Sequence, residues 1–303
     1  MPSFSRREFL RVTSASAAAA FFANSFGLEK KKVMLSFSTL ACPDWSFTDI
    51  VTFAKQHHYA ALELRGIKRQ MDLPLCPEFS DANRNATIAL MKENGLRFIN
   101  LGSSCTLHFP EGDERKKNIN EGKRFIDLAQ QVECPYIRVF PNNFPKGQEK
   151  QATLDLIAKG LVELGDYAKD RNVKVLMETH GELLYTDDLA SVMKAVAHDH
   201  VGLVWDPCNM WTVTKEPVRK MYDSLAPYIF HTHIKDCLLV DGKPEYRFLG
   251  KGEVPIFEAI ELLRKGGYKG YYSFEWEKLW HPELAEPELA LADYPLVMKR
   301  KFS

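Results

Sequence analysis

Two patterns of apolar and polar residues alternate along the chain after residue 30. Short runs rich in β-branched and aromatic residues are followed by longer stretches, such as SFTDIVTFAKQHH, with apolar residues three and four positions apart. The short runs are typical of buried strands, and the longer stretches are typical of amphipathic helices. The pattern predicts eight strands, over residues 33–38, 60–64, 97–101, 136–140, 173–179, 201–206, 229–234 and 271–275.

This alternation favours an α/β fold, a single-domain (β/α)8 TIM barrel over residues 31–303. Eight strand–helix units need about 250 residues to close such a barrel, and the chain is long enough. The alternative is an open, doubly wound sheet, which would need a glycine-rich first turn to bind a dinucleotide. The turn after the first predicted strand, TLACPDW, has no glycine, so the closed barrel is the better prediction.

Composition narrows the class of protein further. The chain has 40 basic and 40 acidic residues, and this balance removes the electrostatic reason to expect a nucleic-acid partner. Its six cysteines are scattered, without a C-x-x-C pair. We therefore expect buried thiols rather than a disulfide framework or a zinc knuckle.

The first thirty residues differ in composition from the rest. The segment SRREFLRVTSASAAAAFFA has an arginine pair and then a mildly apolar stretch rich in alanine. This order is typical of a twin-arginine export signal, although an amphipathic helix is the alternative. We expect residues 1–30 to be such a signal or a disordered terminus, and the mature protein to be exported to the periplasm. The apolar stretch is too short to span a bilayer, so we expect no stable membrane insertion once the signal is removed.

The stretch HTHIKD, residues 231–236, follows the apolar pair Ile229 and Phe230. Alternate side chains of a strand face the same way, so His231, His233 and Lys235 should share one side. Three polar groups on one face are not typical of a core. They suit a strand that ends in a pocket for a metal ion or an anion.

The C-terminal ends of the predicted strands carry further polar residues, and active sites of such barrels lie at these ends. The last four strands each supply a carboxylate or an imidazole at the same depth, namely Glu178, Asp206, His233 and Glu275. Three buried carboxylates would repel one another without a cation. Oxygen donors with one nitrogen suit Mn²⁺, which we favour, as well as Mg²⁺, Co²⁺ or Zn²⁺. The sequence therefore predicts a divalent metal site.

Five motifs of the chain resemble the sugar phosphate isomerase/epimerase superfamily of xylose isomerase-like TIM barrels. They are METHG, WDPCNMW, HTHIKD, GKGEVP and SFEWEKLW, and the resemblance spans roughly residues 32–300. It implies the barrel fold and a metal held by Glu178, Asp206, His233 and Glu275. It also implies that His231 supports the site rather than binding the metal.

The chain departs from parts of this superfamily. Ketose 3-epimerases of this kind have a substrate-binding histidine three residues past the metal aspartate, where this chain has Asn209. Arg247 is a candidate for their substrate-binding arginine. The lysine of HIKD, Lys235, is more similar to the dehydratase branch. The endonuclease branch needs extra metal-binding histidines, for which His108 is a candidate, and a basic groove, which neutral charge does not indicate.

The resemblance implies one chemical step, the removal of a proton next to a carbonyl that the metal polarises. We expect Glu178 and Glu275 to be the facing acid and base. His180 and Lys235 are alternative proton carriers, Lys235 because a cation beside a metal should have a lowered pKa. The residues expected to contact substrate are Glu63, His108, Arg138, Asn209 and Trp276.

The predicted activity is that of a metal-dependent isomerase or epimerase of an unphosphorylated keto-sugar or sugar derivative. An exported protein would not meet phosphorylated intermediates, and the sequence has no phosphate-binding loop. Loss of a leaving group would instead make it a lyase, dehydratase or hydratase acting on a 3-keto-sugar or inosose-like substrate. A barrel that binds metal and sugar without catalysis is a third interpretation. The expected partner is a small sugar, and a homo-oligomer is left open.

Overall fold

The structure is a computed structural model that describes residues 33–302. The predicted export signal over residues 1–30 lies outside these residues. The described chain contains the strands β1 (Leu35–Ser38), β2 (Ala61–Leu64), β3 (Arg97–Thr106), β4 (Tyr136–Phe140), β5 (Lys174–Glu178), β6 (Val201–Trp205), β7 (Ile229–Ile234), β8 (Asp236–Val240), β9 (Lys243–Arg247) and β10 (Tyr272–Phe274).

Eight of these strands close into a barrel in the order β1-β10-β7-β6-β5-β4-β3-β2. Neighbouring strands are parallel throughout, and the register places His233 of β7 beside Ser273 of β10. All five residues of β6 are buried, as expected when helices cover the outside of a parallel sheet. The predicted (β/α)8 barrel is confirmed, and its eight strands match the predicted ones, although β3 continues past residue 101 to Thr106.

Helices cover the outside of the barrel. The helix α1 begins with a capping box, in which Ser46 and Asp49 each accept a hydrogen bond from the other's backbone. The helices are α1 (Phe47–Gln56), α2 (Arg84–Glu93), α3 (Asp113–Gln131), α4 (Lys150–Lys169), α5 (Thr186–Val196), α6 (Pro207–Thr214), α7 (Val218–Leu225), α8 (Ile256–Lys265) and α9 (Pro287–Phe302).

A hairpin of β8 and β9 follows the C-terminal end of β7, and the sequence analysis did not predict it. Its turn is Asp241-Gly242, both with positive φ, which is the usual chemistry of a two-residue hairpin turn. The buried carboxylate of Asp236, at the start of the hairpin, accepts backbone hydrogen bonds from Gly250 and Gly252 at 2.9 Å each. This contact joins HTHIKD to GKGEVP.

The described part of the chain buries all six cysteines as free thiols, as predicted. Among the described residues, no helix is both long and apolar enough to span a bilayer.

Candidate metal and active site

Two polar residues of β7, His231 and His233, and Lys235 directly after the strand point into the barrel. His231 and His233 are fully buried, and Lys235 is 2% exposed. The period of two along a strand therefore places all three on the inner side, as the sequence predicted. They lie at successive heights, with Lys235 nearest the C-terminal end of the strand.

The structure brings the four predicted metal ligands together. The Nδ1 atom of His233 lies 3.1 Å from Glu178 Oε1, 3.3 Å from Glu275 Oε1 and 4.0 Å from Asp206 Oδ2. One ligand atom from each of the four residues lies within 4.8 Å of the others. All four residues are buried. Ligand atoms this close, on four adjacent strands, can bind one ion.

Asp206 has one oxygen for the helix that follows it and one for the cluster. It caps the N-terminus of α6, where its Oδ1 accepts a hydrogen bond from the Asn209 backbone N–H at 2.8 Å. Pro207 occupies the first turn, where its missing N–H is not needed. The other oxygen, Oδ2, faces His233 and Lys235. The cap thus fixes the direction of a candidate ligand.

Glu63, which the sequence analysis expected to contact substrate, instead contacts two histidines behind the cluster. Its side chain is fully buried, with Oε1 2.9 Å from His233 Nε2 and Oε2 2.6 Å from His231 Nε2. Ser273 also donates a hydrogen bond to Oε2, at 3.1 Å. Since Glu63 accepts from Nε2 of His233, the Nδ1 atom of that ring is the one presented to the cluster. Ligating histidines commonly donate their second N–H to a carboxylate in this way.

The charges of the cluster fit a divalent cation. Five carboxylates lie in or beside it and face three cationic side chains, which leaves an excess of two negative charges if the histidines are neutral. Such a group is unfavourable in a buried site unless a cation offsets it. The five carboxylates are those of Glu63, Glu178, Asp206, Glu275 and Glu277, and the three cations are those of Arg65, Arg138 and Lys235.

Lys235 is enclosed by carboxylates. Its Nζ lies 2.9 Å from Asp206 Oδ2, 2.7 Å from Glu275 Oε2 and 2.6 Å from Glu277 Oε1. Tyr246 of the hairpin donates a hydrogen bond to the same Glu277 oxygen at 2.8 Å. We did not assign a role to Glu277 or Tyr246 from the sequence. The sequence did contain a signal for Glu277, because it lies two residues after Glu275 and so should face the same side of an extended segment.

Arg138 and Asn209 contact the candidate ligand Glu178. The Nε atom of Arg138 is 3.3 Å from Glu178 Oε2, and its Nη1 donates to the Ser103 carbonyl at 3.1 Å. The side-chain amide of Asn209 lies 3.4 Å from Glu178 Oε1. Both predicted substrate contacts therefore adjoin the cluster. Arg65 lies near them and donates to Ser104 Oγ at 3.0 Å.

His180 lies at the edge of the cluster, two residues after Glu178. Its Nδ1 is 3.1 Å from Asn142 Oδ1, and its ring packs against Phe140. Gly181 makes this approach possible, because a Cβ there would lie 2.7 Å from the Asn142 carbonyl oxygen, and its φ is +68°. The glycine of METHG thus places the imidazole between two neighbouring loops.

Two predicted site residues lie away from the four ligands. His108 follows β3, and its ring packs against the ring of Phe109. It does not belong to either group of candidate metal ligands found among the described residues. Trp276 is 2% exposed, and its indole N–H donates to the Ala285 carbonyl at 2.9 Å. Its ring stacks on Phe274. Trp276 therefore faces away from the four ligands, because alternate residues of this segment face outward, and it lines a groove beside the β8–β9 hairpin.

The two facing glutamates differ in pKa. Burial raises the pKa of Glu275 from 4.5 to about 7, although His233 and Lys235 oppose the rise. Burial acts on Glu178 as well, but His233 and Arg138 outweigh it and hold the pKa of Glu178 well below its usual range. Carboxylates whose environments separate their pKa values are suited to acid and base roles.

The cationic groups also have shifted pKa values. Burial favours a lower pKa for Lys235, but Asp206, Glu275 and Glu277 outweigh it and raise that pKa well above 10.5. In the metal-free protein the pKa of Lys235 is therefore raised, because three carboxylates surround the ammonium. Burial lowers the pKa of His180, so its imidazole is neutral near pH 7.

These features match those of a known family. Residues 51–295 match the family model described as xylose isomerase-like TIM barrel. The chain belongs to this family.

Characterised relatives of the chain are enzymes. It is 25% identical over 247 residues to the 3-dehydroshikimate dehydratase of Bacillus anthracis, an alignment that covers 76% of this chain and 85% of that protein. It is also 25% identical over 199 residues to the inosose isomerase of Halalkalibacterium halodurans, with 60% of this chain and 67% of that protein covered. Among solved structures, the IOLI protein with a bound zinc atom superposes with a TM-score of 0.76 at 18% identity, over 89% of this chain and 100% of that one.

Proposed function

We propose that the protein is a metal-dependent isomerase or epimerase that moves a proton at a carbon next to a carbonyl of an unphosphorylated keto-sugar or sugar derivative. The observation that carries this proposal is the group of Glu178, Asp206, His233 and Glu275, with ligand atoms within 4.8 Å of one another. Their donor set favours Mn²⁺, and a bound divalent ion would polarise the carbonyl and acidify the neighbouring C–H.

The chain's own residues supply the proton transfers. Glu275 and Glu178 both lie at the candidate metal site, so Glu275 can accept a proton from a carbon next to the metal-bound carbonyl and release it again. Glu178 stays ionised beside Arg138, and neutral His180 is a second proton acceptor. The sequence has no Walker-type phosphate-binding loop, which supports an unphosphorylated substrate.

A dehydratase or lyase is the second candidate, and Lys235 favours it. Its ammonium is held by Asp206, Glu275 and Glu277, so it can donate a proton to a leaving hydroxyl or glycosidic oxygen. The similarity to the Bacillus anthracis dehydratase supports the same candidate.

Proton NMR in D₂O with the Mn²⁺-loaded protein and a panel of keto-sugars tests the proposal. Deuterium uptake at carbon with retained composition indicates an isomerase or epimerase, whereas loss of water or of an alcohol indicates a lyase.

We expect Glu178→Gln and Glu275→Gln each to lower the exchange rate by about 100-fold or more, with metal content measured in parallel. His231→Asn is the matched control, since it should mainly lower stability. Wild-type exchange in either glutamine variant would contradict the acid–base assignment, and binding without any exchange would indicate a non-catalytic barrel.

We propose further that the protein is exported to the periplasm. The support is the SRREFL segment before an alanine-rich stretch, in residues outside those that the structure describes. Cell fractionation of the wild type and of the Arg6→Lys, Arg7→Lys double variant checks it. Equal cytoplasmic retention of both would contradict export by this route.

A further inference from the structure

A groove lies beside the carboxylate cluster, between the β8–β9 hairpin and the segment after β10. Its volume is about 610 Å³, within the range of cavities that hold small organic ligands. Residues 244–248 of the hairpin form one wall, and residues 281–285 form the other. The apolar side chains of Tyr246, Phe248 and Leu284 line it, together with Arg247 and His281.

The wall formed by residues 281–285 is held in place by two side-chain donors. The Trp276 indole donates to the Ala285 carbonyl at 2.9 Å. The ammonium of Lys278, whose side chain is 12% exposed, donates to the Pro282 carbonyl at 2.8 Å. Because these bonds fix the backbone of the segment, the groove is formed before any ligand arrives, which lowers the entropic cost of binding.

Tyr246 connects the groove to the catalytic cluster. Its ring lines the groove, while its hydroxyl donates to Glu277 Oε1 at 2.8 Å. The same oxygen accepts a hydrogen bond from Lys235 at 2.6 Å. The groove therefore begins two hydrogen bonds away from the lysine that contacts the candidate ligands Asp206 and Glu275.

Two ionisable side chains along the groove already face acidic partners, and Lys251 lies exposed at its edge. Arg247 lies 2.6 Å from Glu245, and His281 lies 3.2 Å from Glu283. An uncharged planar group can pack on the aromatic wall formed by Tyr246, Phe248 and Trp276 without displacing these partners.

We propose that this groove is a substrate subsite for an uncharged aromatic group linked to the reacting sugar, so that the enzyme prefers glycosides with such an aglycone to free monosaccharides. The inference rests on the proposed function, since it takes the reacting sugar to lie at the carboxylate cluster. The subsite is a specificity element, and Leu284 and Tyr246 are its contact residues.

Calorimetric binding to the Mn²⁺-loaded protein tests the subsite without requiring turnover. The probes are the phenyl β-glycosides of glucose, galactose and mannose, each compared with its parent sugar. We expect at least one glycoside to bind about ten-fold more tightly than its parent sugar, from burial of the ring. A panel in which no glycoside binds more tightly than its parent would overturn the proposal.

Variants locate the preference. Leu284→Trp fills the groove and should abolish the preference while leaving the affinity for the free sugar unchanged. Leu289→Trp, the same change at a residue 61% exposed on α9, is the control and should retain the preference. Leu284→Ala, which removes apolar contact without adding bulk, should reduce the preference several-fold, and melting curves verify that each variant folds. A preference that survives both changes at Leu284 would contradict the location.

Deuterium exchange without any glycoside preference would overturn the subsite alone, and glycoside preference without exchange would overturn the proposed function alone.

Discussion

Glu63 contacts the candidate metal site only through histidines. Each of its two oxygens accepts from a different imidazole, and the side chain has no exposed surface. This arrangement determines which nitrogen of His233 faces the carboxylates, and therefore how well that residue can bind an ion. An acidic residue that sequence analysis assigns to substrate thus orients a candidate metal ligand.

At the residue scale we expect Glu63→Gln to weaken Mn²⁺ binding by about 10- to 100-fold. A glutamine presents one acceptor and one donor where two ring N–H groups need acceptors, so one histidine must change its tautomer or leave its position. Calorimetric titration of the metal-free protein with Mn²⁺ measures the change. Ser273→Ala is the matched control, because it removes only the third donor to Glu63 and should alter the affinity less. Equal affinities of wild type and Glu63→Gln would contradict the assignment.

At the scale of elements, the loops after the last strands depend on each other. Asp236 begins the hairpin, and its two oxygens accept four backbone hydrogen bonds, from Cys237 and from residues of the following loop, Gly250, Gly252 and Val254. Lys235 directly precedes it. The position of the buried ammonium is therefore coupled to the loop that leads into α8.

We expect Asp236→Asn to lower the free energy of unfolding by about 2–4 kcal/mol, because the amide –NH₂ would face backbone N–H groups that then lack an acceptor. Thermal and urea unfolding measure the loss. Asp241→Asn, the same change in the exposed turn of the same hairpin, is the control and should be nearly neutral. A stability loss of the same size in both variants would show that the backbone contacts of Asp236 are not its cause.

At the scale of the whole molecule, local signals predicted the barrel and the four candidate ligands. Hydrophobic periodicity marks each strand, and each ligand stands at the end of one, so a closed barrel is enough to bring them together. The pairing of Glu63 with His231 joins residues 168 positions apart, and no local pattern marks it. The hairpin was missed because β8 begins only two residues after β7, with no helical pattern between them, and because β9, KPEYR, has no apolar run.

The acidic cluster also makes the stability of the whole metal-free protein depend on pH. Glu275 has a pKa of about 7 in the folded protein against 4.5 ordinarily, so the folded state binds more protons between these values. Its contribution to stability is then fully present below pH 4.5 and is lost as the pH rises through 7. A divalent ion reverses this trend, since it binds the ionised carboxylates and stabilises the folded state by mass action.

We therefore expect the free energy of unfolding of the chelator-treated wild type to fall by about 2 kcal/mol between pH 5.5 and 7, relative to Glu275→Gln, which has no proton to lose at this position. Urea unfolding of both proteins at several pH values measures the difference, and the comparison cancels the titration of groups that they share. With Mn²⁺ in excess, the stabilisation of the wild type by metal should grow over the same range. A wild-type curve parallel to that of the variant would show that Glu275 is already ionised at pH 5.5. The pKa values of Glu275 and Glu178 would then no longer differ enough to support separate acid and base roles.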